Sequence, residues 1–302
     1  MTPLSDERAA LLELNPNSMT LPTFFADQSE LMRTAAAAAQ VAGEVIRVGY
    51  DQAHKIESKG IGDLVSQVDF DADKRATEVL QEHSPDLPIM SEELSPETDD
   101  PQQKMWVVDP LDGTTAYLMR AGRQYSSVLI SLCEGGHPTL GVTYFPLTNE
   151  WFYAEKGCGS FKDGRRFTLT PQEYRLSAAW IEMNQYGDSR FESDFFSAAR
   201  RALRAPGGAR IATSSFPHAG VAMRIAEQNS GLVGAMHDNC LESLKQGPWD
   251  IAANQAIFEE AGGHFLNAQL ERVSPFVAEP FLVVPCLSLA EQIIECVSAH
   301  VA

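Results

Sequence analysis

Residues 106–115 read Trp-Val-Val-Asp-Pro-Leu-Asp-Gly-Thr-Thr, and this stretch constrains the fold of the chain more than any other. The apolar run 105–108 has the composition of a buried strand. It stops at Asp109-Pro110, with a second carboxylate, a glycine and two hydroxyls directly behind it. Two carboxylates leaving one strand end can converge on a hard cation, which wants oxygen ligands. Gly113 lets the backbone approach a ligand closely. Thr114 and Thr115 stand where a short helix can begin, with its first N–H groups aimed at an anion. Seats for a cation and for a phosphate thus fall within seven residues, and the pattern points to phosphate chemistry on magnesium.

The rest of the composition narrows the partners. A net charge of −18 over 302 residues disfavours nucleic-acid and anionic-membrane surfaces, both of which need a basic face. It leaves room for a small anionic substrate, because bound cations invert the local field. The five cysteines, Cys133, Cys158, Cys240, Cys286 and Cys296, are odd in number and widely spaced. A reduced, cytoplasmic protein is the expectation, and the first residues show no signal-peptide pattern.

Along the chain, residues 1–28 read as a loosely structured arm with prolines at positions 3, 16 and 22. Ser29 is placed to cap an alanine-rich helix running to about Gly49, and a second helix is expected from Asp69 to about Glu82. Strand-like runs at 126–132, 139–145 and 150–154, separated by turn residues, suggest an antiparallel meander. From about Leu176 strands and helices alternate: strands at 178–183, 232–236 and 281–284, helices at 191–204, 219–227, 249–261 and 288–301. The expected division is an arm (1–28), an α+β half carrying metal and phosphate sites (29–165) and an α/β substrate-side half (166–302), built as helix and sheet layers.

Four acidic segments share one local form. Asp69 sits at a helix start, Glu92 and Glu93 just past a strand, Asp109 and Asp112 in the opening motif, and Asp250 at the start of an alanine-rich helix ending at Gly262-Gly263. Such positions are where ligands collect in layered α/β folds. Asp69 and Asp250 are also plain candidates for helix caps, and the Glu92-Glu93 pair for a solvated turn. The Asp-Pro-Leu-Asp spacing is one residue longer than the Asp-x-Asp-Gly-Thr of haloacid-dehalogenase-type phosphatases, so Asp109 and Asp112 cannot take the two roles of that motif.

These blocks, together with 156–161 (Lys-Gly-Cys-Gly-Ser-Phe), resemble the inositol monophosphatase family of magnesium-dependent, lithium-sensitive sugar-phosphate phosphatases. The resemblance implies a layered αβαβα sandwich, often a homodimer, that hydrolyses a small phosphorylated polyol with two or three Mg2+ ions. It implies that Glu92, Asp109 and the Leu111 carbonyl hold one ion, that Asp109, Asp112 and Asp250 hold a second, and that Glu92 faces a third. Thr114, bonded to Asp69, would orient and deprotonate the attacking water. The N–H groups of Gly113 and Thr114 would cradle the phosphate.

Departures from the family pattern concern the substrate. Ala116-Tyr117 follows the threonines where inositol phosphatases usually show Asn-Phe and bisphosphate nucleotidases Lys-Glu. The position for a substrate-binding glutamate, six residues before Trp249, holds Ser243, with Glu242 one residue further away. A one-residue insertion would return Glu242 to that role. Segment 212–220 replaces a shorter family turn and offers Ser214, Ser215 or His218 to a polar head group, or is a plain surface loop with a helix cap. Inositol monophosphate is the nominal substrate. Fructose 1,6-bisphosphate, histidinol phosphate and 3′-phosphoadenosine 5′-phosphate are the alternatives, and a non-catalytic metal- and phosphate-binding regulator is the competing class.

Overall fold

The computed structural model describes residues 20–52, 56–60, 63–95, 97–98, 100–169, 173–184, 193–214, 218–227, 232–238 and 247–301. Helix α1 (Glu30–Gly49) starts where expected, with the Ser29 hydroxyl accepting the Met32 N–H at 3.0 Å. A hairpin, β1 (Ile56–Gly60) and β2 (Asp63–Ser66), leads into α2 (Gln67–His83). Small side chains on α1, among them Ala35, Ala38, Ala39 and Ala42, are fully buried and let α2 pack close beside it.

Both helices cover one face of a seven-stranded sheet: β3 (Ile89–Ser91), β4 (Met105–Asp112), β5 (Ser127–Glu134), β6 (His137–Phe145), β7 (Glu150–Glu155), β8 (Gly159–Lys162) and β9 (Arg165–Phe167), adjacent in that order. The meander from β4 to β9 is antiparallel, but β3 joins β4 in parallel. Strand β4 is buried along its whole length and feeds the single-turn helix α3 (Thr114–Leu118).

The second half forms a five-stranded sheet from β10 (Trp180–Asn184), β11 (Arg210–Ser214), β12 (Leu232–His237), β13 (His264–Leu266) and β14 (Phe281–Val284), in the order β11-β10-β12-β14-β13. Strands β11, β10 and β12 pair in parallel, and β14 runs antiparallel to both of its neighbours, β12 and β13. Helices α4 (Asp194–Arg204) and α7 (Leu287–Val301) lie on its outer face. Helices α5 (His218–Glu227) and α6 (Pro248–Glu260) lie between the two sheets.

The layers therefore run αβαβα. Helix α6 is buried on nearly all sides, Asn254 and Gln255 included, as befits a helix in a middle layer. It sits so close to β6 that a Cβ on Gly141 would come 2.4 Å from the Ala253 carbonyl oxygen, so only glycine fits there. One core cluster joins Leu129, Phe145 and Phe152 of the large sheet to Ile251 and Ile257 of α6 and Phe281 of the small sheet.

Some expectations shift. The second helix starts two residues earlier, at Gln67. The glycine-rich turns after β7 carry two further strands, β8 and β9. Alternation alone misses strands this short, as it also misses β11 and β13. The strand expected at 178–183 begins at Trp180, because residues 176–178 form a short helical turn. The end of the N-terminal arm is docked: Phe25 is 1% exposed, its ring 5.3 Å from that of Trp151 and 4.7 Å from that of Tyr153.

Candidate active site

In a regular strand, side chains alternate between faces, so residues three apart point to opposite sides. Asp109 and Asp112 escape this rule through a bulge. Asp109 pairs with Leu129 and Asp112 with Ser127, three residues on β4 against two on β5. The extra residue flips the alternation and returns both carboxylates to one side. Pro110, which has no N–H for the ladder, is tolerated at a bulge. The Leu111 N–H donates instead to Asp109 Oδ1 at 2.9 Å.

The third carboxylate comes from the middle layer. Asp250 is the third residue of α6 and accepts the N–H of Gly247, just before the helix, at 2.8 Å. That bond fixes the side chain, and Asp109, Asp112 and Asp250 bring carboxylate oxygens within 4.8 Å of one another. Asp109 and Asp112 are buried, and Asp250 is half-buried. Ser127 on β5 donates to Asp112 Oδ2 at 3.1 Å.

Asp69 repeats the device. It is the third residue of α2, and its Oδ2 accepts both the N–H (2.9 Å) and the hydroxyl (2.7 Å) of Ser66, closing a capping box. Its Oδ1 accepts the hydroxyl of Thr114 at 2.7 Å. The Leu111 carbonyl is a second acceptor for that hydroxyl at 3.1 Å. Gly113, at φ 88° and ψ 35°, makes the left-handed turn from β4 into α3, a conformation that L side chains resist.

Electrostatically the site is unbalanced. Burial foremost, then the negative charges of Glu92, Asp112 and Asp250, push the Asp109 carboxyl well above the usual carboxylate range. Glu92, next to the end of β3, acts on Asp109 from outside the group of three, and its N–H donates to the Val108 carbonyl at 3.2 Å. Crowded, buried carboxylates of this kind fit a divalent cation with a preference for oxygen donors. No other group of three or more metal-ligating side chains of this compactness occurs among the described residues.

The chain belongs to the inositol monophosphatase family. The family model matches residues 27–302. An inositol monophosphatase of Mesembryanthemum crystallinum is 31% identical over 78% of this chain and 84% of its own length. A fructose-1,6-bisphosphatase/inositol-1-monophosphatase of Aquifex aeolicus is 28% identical over 83% of this chain and 87% of its own. Among solved structures, the extragenic suppressor protein suhB of Bartonella henselae superposes with a TM-score of 0.75 at 25% identity, covering 89% of this chain and 98% of that one. The family is one of phosphatases, and the αβαβα layering is its fold.

Of the residues singled out in the sequence, Asp69, Thr114, Leu111, Asp109, Asp112 and Asp250 are drawn together, with Glu92 beside them. Glu242 lies outside the described residues. Ser214 is the last residue of β11, inside a strand rather than a free loop, and α5 begins at His218, four residues on. Two contributors went unnoticed. Ser66 is legible in retrospect as the first residue of an S-x-x-D capping box. Ser127 reaches Asp112 only through cross-strand pairing, which leaves no local mark.

Proposed function

We propose that this chain is a magnesium-dependent phosphomonoesterase acting on a small polyol or sugar phosphate, with inositol monophosphate as the foremost substrate. The observation that carries the reading is the convergence of Asp109, Asp112 and Asp250 within 4.8 Å, beside a Thr114–Asp69 hydrogen bond of 2.7 Å. Membership in the family supports the phosphatase class, and the double name of the Aquifex aeolicus relative leaves the sugar open.

In this reading Glu92, Asp109 and the Leu111 carbonyl would hold one Mg2+, Asp109, Asp112 and Asp250 would hold a second, and Glu92 would face a third. The chemistry that bound cations would supply there is neutralisation of the phosphate dianion, activation of water and stabilisation of the leaving alkoxide. Gly113 and Thr114 offer N–H groups to the phosphate oxygens. The Thr114 hydroxyl donates to Asp69, so its lone pairs are left to accept from the attacking water. As that water gives up a proton to Thr114, the Thr114 proton passes to Asp69. Ser66 holds Asp69 in register for this transfer. Positioning carries most of the remaining catalysis, since phosphoryl transfer needs little covalent help. Water attacks in line and no phospho-enzyme forms. Glu242 and Ser214 are assigned to the substrate's hydroxyls.

The test is phosphate release, with and without Mg2+, from inositol 1-phosphate, fructose 1,6-bisphosphate, histidinol phosphate and 3′-phosphoadenosine 5′-phosphate. Strict Mg2+ dependence and loss of turnover in Asp112→Asn support the reading. Trapping a phospho-aspartate at Asp109 refutes the mechanism. Cation binding with no release from any of the four favours a non-catalytic phosphate binder.

A further inference from the structure

Asp69 and Asp73 are four residues apart on α2 and therefore share one face of the helix. Asp69 reaches the Thr114 side of the site. Asp73 reaches the other side. It is fully buried, and its Oδ2 accepts the N–H of Glu93 at 3.0 Å and of Leu94 at 3.1 Å. The preceding N–H, that of Glu92, donates to Val108, the residue before Asp109. Three consecutive N–H groups of the turn after β3 are thus pinned, one on β4 and two on a single carboxylate oxygen of α2.

Packing does little to hold this turn. Leu94 is 50% exposed, and Glu92 and Glu93 are only half-buried. A carboxylate is an expensive group to bury, and an apolar side chain of similar size would serve stability as well or better. What an apolar residue cannot do is accept two backbone N–H bonds, which are shorter and stronger for a charged acceptor.

We propose that Asp73 is a positioning residue for the metal centre: it fixes the Glu92–Leu94 turn so that the Glu92 carboxylate faces Asp109. One face of α2 then sets both flanks of the site, the proton-transfer side through Asp69 and the Glu92 side through Asp73. The proposal rests on the reading above that Glu92 binds a cation.

The test uses the full chain and titrates MgCl2 against two readouts: the melting temperature, and turnover of inositol 1-phosphate. Asp73→Ala is expected to raise the Mg2+ midpoint of both readouts about 10- to 100-fold, as loss of a group that orients a ligand does. Turnover at saturating Mg2+ stays within about threefold, because no reacting atom is touched. Asp73→Asn, whose Oδ1 still accepts both N–H groups, restores the midpoints to within about threefold of the parent. If Asp73→Ala does not fold, Asp73→Ser replaces it, a hydroxyl too short to span both bonds. A lower melting temperature without metal, and unchanged midpoints, overturns the proposal. In a Glu92→Gln background, substituting Asp73 is expected to add no further shift. If Glu92→Gln itself leaves the midpoints unchanged, the assignment of Glu92 as a ligand fails and takes the proposal with it. A shift for Glu92→Gln and none for Asp73→Ala overturns the proposal alone.

Discussion

Asp109→Asn is expected to stabilise the metal-free protein while abolishing its activity. Asp109 is 1% exposed and lies within 4.8 Å of both Asp112 and Asp250. At that separation and an effective dielectric of about 20, each pair of charges repels by about 3.5 kcal/mol. Asparagine removes both repulsions and the burial of an ion, yet keeps an Oδ1 for the Leu111 N–H. The protein has a cheaper escape, which is to take up a proton. Holding a carboxyl neutral at pH 7 against an unfolded-state pKa of about 3.9 costs about 4 kcal/mol, and this is the ceiling on the gain. With Asp250 partly hydrated, about 2–4 kcal/mol remains, or roughly 3–6 °C in melting temperature for a chain of this size.

The pH dependence follows from the raised carboxyl of Asp109. A carboxyl pushed up in the folded state costs nothing below its unfolded pKa, where both states are protonated. The penalty grows as pH rises through the folded pKa. The Asn variant lacks it, so its advantage is near zero at about pH 4 and grows at higher pH. Differential scanning calorimetry in EDTA at pH 4, 6 and 8 measures this. Adding MgCl2 reverses the order, because only the parent chain binds the cation at full strength and gains stability by mass action. Equal or lower stability of Asp109→Asn in EDTA at pH 8 would refute the electrostatic argument.

Two further outcomes follow from the geometry. Thr114→Ala loses the relay to Asp69 and is expected to lower kcat by about 10²–10⁴, the usual worth of positioned acid–base help, whereas Thr114→Ser stays within about tenfold; equal losses in both would place the contribution in the methyl group instead. Phe25→Ala empties a buried aromatic site against Trp151 and Tyr153 and should destabilise by about 3–5 kcal/mol by urea unfolding, with kcat unchanged; a loss under 1 kcal/mol would mean that the arm contributes no core.

Local patterns were legible wherever the physics was local. Ser29 and the alanine face of α1, the apolar run of β4 and the alternation of β5 to β7 each carry their structure within a few residues. The short strands β8, β9, β11 and β13 did not, since three to five residues give alternation no room to show. Their place is fixed by neighbours far away in sequence: β11 beside β10, and β13 beside β14. The direction of β3 is likewise a property of the whole sheet, and the docking of Phe25 depends on aromatic rings on β7.

At the site, what the sequence hid was how one side chain serves two purposes. Asp69 and Asp250 are candidates both for helix capping and for a role in the site, and the two roles coexist. Both stand third in their helices and close back on the N–H that precedes the first turn. A carboxylate has two oxygens, and in Asp69 one is held by Ser66 while the other holds Thr114. Capping is what makes such a group rigid enough to position a proton or a cation, because the rotamer is set before any ligand arrives. The bulge in β4 works to the same end: Pro110 and Leu111 look like an interruption of a strand, and they are the reason that Asp109 and Asp112 face the same way. Features that weaken a regular element, read one residue at a time, are here what bring three carboxyl groups to one point.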